Sequence, residues 1–246
     1  MEETIQTALG GSMFGVLLGG FLLGLWHARE ADHVAAVAAI VTERKNLWSS
    51  ALVGGFWGLG HTLALLLAGV LILLLNIEIS ERTERILEFC VGIMLVVLGL
   101  NVLRKILRGG HLHFHAHEHG GHVHAHPHIH EKDEQSEAHT HHGFSFSPRA
   151  LIVGMIHGLA GSAAVMLLFL PTIDSRPLGF LYLLLFGIGS IGGMMLMSLL
   201  VGLPFSLTAA RLNRLNFAMQ CLAGLFSFVW GLKLIYEKGF VEGLLS

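Results

Sequence analysis

Long uninterrupted apolar runs, rather than alternating apolar and polar positions, dominate the sequence. Six runs are long enough for a helix to cross the hydrocarbon core of a bilayer, which takes about 20 residues. They cover approximately Ser12–Thr42, Trp48–Leu75, Ile86–Leu107, Ala150–Pro171, Leu178–Leu203 and Leu215–Tyr236. Helices of soluble proteins usually carry a polar stripe, and these runs do not. The pattern predicts an all-α polytopic membrane protein with six transmembrane helices.

The composition agrees with that prediction. Hydrophobic residues make up 53% of the 246 residues and charged residues 13%, about half the charged share of an ordinary soluble domain. This balance excludes a disordered chain and a nucleic-acid-binding protein that works through a basic surface. Both cysteines lie in apolar runs, which excludes a disulfide scaffold and a cysteine-based zinc module. The chain begins Met1-Glu2-Glu3 without the basic segment of a signal peptide, so no cleaved leader is expected.

The two halves of the chain resemble each other at a nearly constant spacing. The matches pair Gly24–His27 with Gly154–His157, Gly58–His61 with Gly187–Ser190, Cys90 with Cys221, and Gly99 with Gly231. Chance similarity among glycine- and leucine-rich spans is the alternative. A duplicated unit with an odd number of spans must lie in the opposite orientation, as in many secondary transporters. We therefore predict a 3+3 inverted repeat, with residues 1–108 and 149–246 as its halves and residues 109–148 as the loop between them.

Lysine and arginine in the loops predict the orientation of the chain in the membrane. Nine of them lie on the side that carries the loop 109–148, and five lie on the other side. Positive residues accumulate on the cytoplasmic side of a membrane. We therefore expect the protein in the cytoplasmic (inner) membrane, with both termini outside and the long loop in the cytoplasm.

Histidine is concentrated in two parts of the sequence. Thirteen of the 17 histidines lie between residues 111 and 142, and the other four are His27, His33, His61 and His157, all inside predicted spans. Ionisable side chains inside a membrane are costly and by default mark a functional site. The four membrane histidines are therefore the first candidates for such a site.

The first span carries a polar patch, which reads His27-Ala28-Arg29-Glu30-Ala31-Asp32-His33. At about 100° per residue, His27, Glu30 and His33 share one face of a straight helix. Asp32 points toward another face, so it can join them only if the helix unwinds or if a second helix faces it. A pair between Arg29 and Asp32 would reduce the cost of both charges.

Imidazole together with carboxylate suits nickel, cobalt, zinc and copper. We interpret the patch, with histidines from two other spans, as a metal site. The candidate ligands are His27, Asp32, His33, His61, Glu30 and His157. A buried proton relay and a polar cluster that only packs the helices are the alternatives.

Two motifs resemble the nickel/cobalt transporter (NiCoT/NicO) family. His27-x4-Asp32-His33 matches its H-x4-D-H signature, and Leu59-Gly60-His61-Thr62 on the next span is similar to its L-G-H-S/T motif. The resemblance implies transport of Ni²⁺ or Co²⁺ across the cytoplasmic membrane, with His27, Asp32 and His33 essential. Longer members of the family have eight spans and acidic motifs in the second half, whereas Gly154–Ser162 contains no carboxylate. The six-span plan is more similar to the urease-accessory (UreH-like) branch of the superfamily.

The loop 109–148 is a low-complexity segment in which histidine alternates with other residues over His111–His119 and His122–His130. It has few large apolar side chains, so it should be disordered without a ligand. Its imidazoles should bind divalent transition metals weakly and at many positions. Buffering, sensing and delivery of metal are all open as its role.

The sequence thus favours a transporter. It contains no P-loop, the motif of an ATPase, so we expect secondary-active transport. Asp32 favours uptake, because efflux relatives of the family usually lack this aspartate. The alternatives are a nickel/cobalt efflux protein and a non-transporting metal sensor or assembly factor for a nickel enzyme. We expect no enzymatic activity and no cofactor beyond the transported ion. The expected partners are a divalent metal ion, the lipid bilayer and nickel-enzyme maturation proteins; no nucleic acid is expected.

Overall fold

Seven α-helices make up most of the part of the chain that the structure describes. This computed structural model describes residues 13–42, 44, 46–75, 80–108, 113–119, 122–128, 148–160, 175–209 and 213–244. The helices are α1 (Met13–His27), α2 (Ala31–Val41), α3 (Leu47–Leu75), α4 (Glu81–Leu107), α5 (Pro148–Gly158), α6 (Arg176–Ala209) and α7 (Asn213–Tyr236), with a π-helical turn at Glu237–Val241. Two strands, β1 (His113–His119) and β2 (His122–His128), lie between α4 and α5.

Within the described residues, four helices are long and apolar enough to cross a membrane: α3, α4, α6 and α7. They correspond to the second, third, fifth and sixth predicted spans. Through these four helices the protein is a helical membrane protein. Helix α4 shows how such a run acquires defined ends. The side chain of Ser80 caps its N-terminus, Glu81 and Glu84 lie in its first turn, and Arg104 and Lys105 lie in its last. Each charge complements the helix dipole at its own end.

The first predicted span is two helices rather than one. Helix α1 ends at His27 and α2 begins at Ala31, which leaves a break over residues 28–30. With 15 and 11 residues, neither helix is long enough to cross a bilayer alone. The fourth predicted span begins as α5, which ends at Gly158. Its continuation over residues 161–171 lies outside the described residues.

Helices α1 and α5 end with the same local hydrogen bond. The amide of Glu30 donates to the carbonyl oxygen of His27 at 3.1 Å, and the amide of Ala160 donates to that of His157 at 3.0 Å. The two bonds are 130 positions apart, which is the spacing of the sequence match between these segments. Each helix therefore ends in a similar turn, one residue or less beyond a buried histidine.

Helices α3 and α6 pack antiparallel at the centre of the bundle. Gly54 near the start of α3 faces Ser198 near the end of α6, and Gly69 near the end of α3 faces Leu183 near the start of α6. More than half of the apolar window of α3 is buried, the largest share among the four long helices. This pair is the frame on which the shorter helices pack.

The two interrupted helices pack on that frame reciprocally. Gly24 of α1 lies against the backbone of Phe186 on α6, and Gly154 of α5 lies against the backbone of Trp57 on α3. A Cβ at either glycine would overlap a carbonyl oxygen of the facing helix. Glycine is therefore needed at both positions for the close approach of the backbones.

Helices α4 and α7 form a second antiparallel pair at the edge of the bundle. Gly92 packs on Gly231 and Gly99 packs on Gly224. These contacts are also reciprocal, since Gly224 and Gly231 follow Gly92 and Gly99 by the same 132 positions. The hydroxyl of Ser227 on α7 also donates a hydrogen bond to the carbonyl oxygen of Leu95 on α4 at 2.9 Å.

The antiparallel pairs define the two ends of the bundle. Leu47, Leu107 and Ala209 lie at one end, from which the loop 109–148 leaves. We call it the loop end. The opposite end, where α3 finishes and α4 and α6 begin, is the distal end.

The described part of the loop forms a hairpin. Strands β1 and β2 pair antiparallel, in a register that sets His113 opposite His128 and His119 opposite His122. A two-stranded sheet is only marginally stable in water, and residues 129–147 lie outside the described residues. Disorder of the metal-free loop therefore stays a prediction.

Candidate metal site

Four histidines and an aspartate meet at the break between α1 and α2. His27 ends α1, Asp32 and His33 lie in the first turn of α2, His61 lies midway along α3, and His157 lies near the end of α5. His33, His61 and His157 have no exposed surface, and His27 is 5% exposed. Because the helices are interrupted inside the bundle, side chains from their ends converge on one place.

Glu30 and His61 contact the ring of His27 from opposite sides. Nδ1 of His27 lies 2.8 Å from Oε1 of Glu30, and Nε2 of His27 lies 3.2 Å from Nε2 of His61. The side chain of Glu30 is 42% exposed. With the Nδ1–H of His27 donating to Glu30, the lone pair of its Nε2 faces His61.

Asp32 joins the two halves of the chain. Its Oδ1 accepts hydrogen bonds from the amide of His33 at 2.8 Å and from Nδ1 of the same residue at 2.9 Å, and its Oδ2 accepts from Nε2 of His157 at 2.9 Å. Both rings are fully buried, whereas the carboxylate is 20% exposed. One carboxylate therefore sets the orientation and tautomer of two imidazoles, as the outer partners of metal-ligating histidines do.

This arrangement leaves an unpaired nitrogen on three buried rings. Nε2 of His33, Nδ1 of His61 and Nδ1 of His157 have no hydrogen-bond partner among the described residues. A buried polar atom without a partner costs free energy, and the neutral imidazole nitrogen is a common metal ligand. In His33 and His157 the free nitrogen is the one not bound to Asp32, as a carboxylate–histidine–metal arrangement requires.

Two overlapping sets of three side chains are compact enough to hold a metal ion. His27, His33 and His61 form one set, and Asp32, His33 and His157 form the other. In each set, one ligand atom from every residue lies within 4.8 Å of the others. The 3.2 Å between the Nε2 atoms of His27 and His61 fits two neighbouring ligands about 100° apart at a metal–nitrogen distance of about 2.1 Å.

Two aromatic side chains border the site, and neither is among the residues predicted from the sequence. The ring centroid of Trp57 lies 5.3 Å from that of His33 and 5.7 Å from that of His157, and Phe186 lies 5.6 Å from His27. Trp57 precedes His61 by four residues, and Phe186 precedes Ser190, the match of His61, by four. This shared position, one helical turn away on matched helices, is the signal that points to them.

The structure brings all six predicted site residues together: His27, Glu30, Asp32, His33, His61 and His157. Asp32 joins them by both of the predicted routes, since the helix is interrupted before it and α5 faces it. The pair between Arg29 and Asp32 that helical spacing would allow does not form. The guanidinium of Arg29 lies 3.4 Å from the ring centroid of Trp26, and the carboxylate of Asp32 is occupied by two imidazoles. Metal ligation by these residues stays a prediction.

Long apolar helices around a buried cluster of histidine and aspartate define an integral membrane protein with an intramembrane polar site. Comparison with known proteins then identifies the family. The chain is 39% identical over 235 residues to the urease accessory protein UreH of Bacillus sp. (strain TB-90), a match that covers 94% of this chain and 95% of that protein. The chain therefore belongs to the UreH family, the branch that the six-span plan of the sequence favours. That relative is named as an accessory protein, which agrees with the prediction that the chain is not an enzyme.

A second relative is more distant. The chain is 27% identical over 223 residues to the chloroplast protein FOR GROWTH AND FERTILITY 2 of Arabidopsis thaliana. This match covers 90% of this chain and 56% of the plant protein. No family model and no solved structure matches the chain. The relationship to UreH thus carries the family assignment.

Proposed function

We propose that this protein is a secondary-active transporter that takes up Ni²⁺ or Co²⁺ across the cytoplasmic membrane. The transported ion binds ring nitrogens of the four membrane histidines, of which His33, His61 and His157 each have one that is free. Asp32 orients two of these rings, or binds the ion directly, and Glu30 orients the ring of His27.

The observation that carries this proposal is the set of three buried, unpaired ring nitrogens, two of them on rings held in place by Asp32. A polar cluster that served only to pack helices would pair its own polar atoms. A proton relay would need hydrogen bonds that continue from group to group. Here one short chain of hydrogen bonds links Glu30, His27 and His61, and another links His33 and His157 through Asp32. Both chains end at ring nitrogens that have no partner among the described residues. A divalent cation is the partner that such nitrogens lack.

An inverted repeat of three helices in each half is part of the proposal. The reciprocal glycine contacts support it, because Gly24 on Phe186 is repeated by Gly154 on Trp57 at nearly the same spacing. The matching helix ends at His27 and Gly158 support it further. Interrupted helices at a repeat interface are where secondary transporters bind their substrates.

The orientation and the partners of the transporter follow from the same reasoning. The excess of lysine and arginine supports a cytoplasmic loop end with both termini outside. Uptake then delivers the ion to the side that carries the histidine-rich loop. Because the closely related UreH is named a urease accessory protein, we propose that the imported metal serves the maturation of a nickel enzyme, with maturation proteins as its recipients.

Flux measurements on the purified full-length protein in liposomes test the proposal. Wild type should take up radioactive nickel saturably, and His33→Ala should not, because His33 belongs to both ligand sets. His128→Ala, which changes one histidine of many in the loop, is the matched control and should transport normally. Competition with Co²⁺, Zn²⁺ and Fe²⁺ ranks the substrates. Nickel binding without flux would instead identify a sensor or assembly factor, and flux only in the outward direction would identify an efflux protein.

A further inference from the structure

The contact between α3 and α6 has a different character on the two sides of the metal site. Toward the loop end it consists of Ser50, Gly54 and Gly58 from α3 and Met194, Ser198 and Gly202 from α6, which we call the loop-side interface. Toward the distal end it consists of Leu65 and Gly69 from α3 and Tyr182, Leu183 and Phe186 from α6, which we call the distal interface. The metal-site residue His61 lies between the two.

The loop-side interface contains buried groups that can bind a cation. Ser198 is fully buried, and its hydroxyl points at Gly54 with no hydrogen-bond partner in the described part of the chain. A serine in a helix commonly bonds to the carbonyl four residues earlier, and Ser198 does not. Met194, also fully buried, places its Sδ 3.3 Å from where a Cβ on Gly58 would lie.

These groups continue to the loop end of the helix pair. Ser50 is fully buried one turn before Gly54, and its hydroxyl lies 2.7 Å from where a Cβ on Gly202 would lie. That hydroxyl donates to the carbonyl oxygen of Asn46 at 3.3 Å, just before α3 begins. Sulfur and hydroxyl groups thus follow one another from the level of Gly58 to the start of α3.

The distal interface shows that the helix contact itself does not require these groups. Met194 corresponds to Leu65 and Ser198 corresponds to Gly69, each 129 positions apart, and Gly54 corresponds to Leu183 at the same spacing. Where the serine hydroxyl faces a glycine on one side of the site, a leucine side chain faces a glycine on the other. Hydrocarbon packs the same geometry, so a buried hydroxyl without a partner has no packing advantage.

We propose that the loop-side interface is the route by which the ion moves between the metal site and the loop end, with Met194 and Ser198 as successive ligands along it. This inference rests on the proposed transport of a divalent metal. The thioether is a soft ligand that suits late transition metals, and the hydroxyl replaces part of the hydration shell. Leu65, Leu183 and Phe186 offer the ion no such ligand, and the ring of Tyr182 packs on Gly20 of α1. The distal interface therefore stays closed while the ion leaves toward the loop.

Conservative substitutions in the full-length protein test the route by flux. Met194→Leu removes the sulfur at nearly constant volume, and Ser198→Ala removes only the hydroxyl. Each should lower the maximal rate of nickel flux in liposomes by at least about fivefold while equilibrium nickel binding at the metal site stays unchanged. The matched control is Leu65→Met, the reverse exchange at the equivalent distal position, which should leave the rate within about twofold of wild type.

Cysteine labelling tests the same route without relying on flux. In a background of Cys90→Ser and Cys221→Ser, Ser198→Cys should react with a membrane-impermeant thiol reagent added at the loop end, and saturating nickel should slow the reaction. Leu183→Cys in the distal interface should react from neither end. Ser136→Cys in the loop serves as the positive control for access.

The outcomes separate this inference from the proposed function. Normal flux in Met194→Leu and Ser198→Ala, together with an unreactive Ser198→Cys, would mean that the loop-side interface only packs the helices, while transport itself would stand. Absence of nickel flux in the wild type would overturn the proposed function, and the labelling of Ser198→Cys would then decide by itself whether the interface opens. Labelling of Leu183→Cys but not of Ser198→Cys would place the route in the distal interface and contradict the proposal.

Discussion

Asp32 and His157 are 125 positions apart in the sequence, and Oδ2 of Asp32 accepts a hydrogen bond from Nε2 of His157 at 2.9 Å. The contact joins α2 of the first half to α5 of the second, beside the interruption in each half. The same carboxylate also holds His33. Because the site takes side chains from both halves, its geometry changes when one half moves relative to the other. Alternating access in secondary transporters uses such a movement around the binding site.

Asp32→Asn should weaken metal binding while it preserves the shape of the side chain. A carboxylate accepts hydrogen bonds from His33 and His157 together, whereas the amide nitrogen of asparagine donates and leaves one ring without an acceptor. That ring then loses its tautomer and orientation. We expect the affinity for nickel, measured as the half-saturating concentration for uptake, to fall about 10- to 100-fold.

Glu242→Gln is the matched control for that experiment. Glu242 also accepts a hydrogen bond, from Lys238 at 2.7 Å, but it lies near the distal end, beyond α7. This variant should take up nickel with wild-type affinity. Equal loss in both variants would indicate that general destabilisation explains the effect, and unchanged uptake in Asp32→Asn would contradict the role given to the carboxylate.

The sequence was sufficient to predict the four long helices and the polar residues that cluster between them, because both depend on local chemistry. Apolar runs longer than a bilayer is thick predict spans, and ionisable groups inside such runs are rare. His27 and His33 stand out by this criterion alone. Helical periodicity also predicts that Asp32 cannot share their face in a straight helix, and the break over residues 28–30 is how the chain resolves this conflict.

The partners of the site residues could not be predicted in the same way. Whether His157 meets Asp32 depends on how α5 crosses α3, which is set by the close contact of Gly154 with the backbone of Trp57. Hydrophobicity does not encode such a crossing. Arg29 is a second example, since helical spacing favours a pair with Asp32 whereas the interrupted backbone places its guanidinium on Trp26.

Gly154→Ala should destabilise the protein and disturb the site. The added methyl group would overlap the carbonyl oxygen of Trp57 and lie 2.8 Å from Cδ1 of its ring. A clash with backbone cannot be relieved by a rotamer change, so we expect a cost of about 1–3 kcal/mol. The melting temperature in detergent should fall, and nickel uptake should fall with it because Trp57 contacts His33 and His157.

Gly55→Ala, on α3, provides the comparison. A Cβ there would meet only the flexible side chain of Met195, at 3.4 Å or more, and alanine favours the helix. Its melting temperature should equal or exceed that of wild type. A similar loss in both variants would mean that any side chain added to α3 or α5 is harmful, and would remove the special role of the Gly154 contact.

The orientation of the chain can be measured with introduced cysteines. In intact cells, Ser246→Cys and Glu2→Cys, in the background without Cys90 and Cys221, should react with an impermeant reagent from outside. Ser136→Cys should react only after the membrane is opened. The physical reason is the excess of lysine and arginine at the loop end. Cytoplasmic termini would contradict either the orientation or the six-span count, and a loop accessible from outside would reverse the direction proposed for delivery.

Replacing His111–His142 by a glycine–serine linker of equal length should separate binding from transport. The change removes thirteen histidines and should abolish the weak binding of several metal ions per chain. Each loop site must pay the entropy of ordering a flexible segment, whereas the rings at the helix interruption are held in place by Asp32 and Glu30. Selectivity should therefore reside in the membrane site, and uptake at saturating nickel should stay within about twofold of wild type.

At low nickel, uptake should fall if the loop collects or delivers the ion. Loss of uptake at saturating nickel in a variant that still folds and inserts would make the loop part of the translocation path, and the division between a selective membrane site and an accessory loop would be wrong.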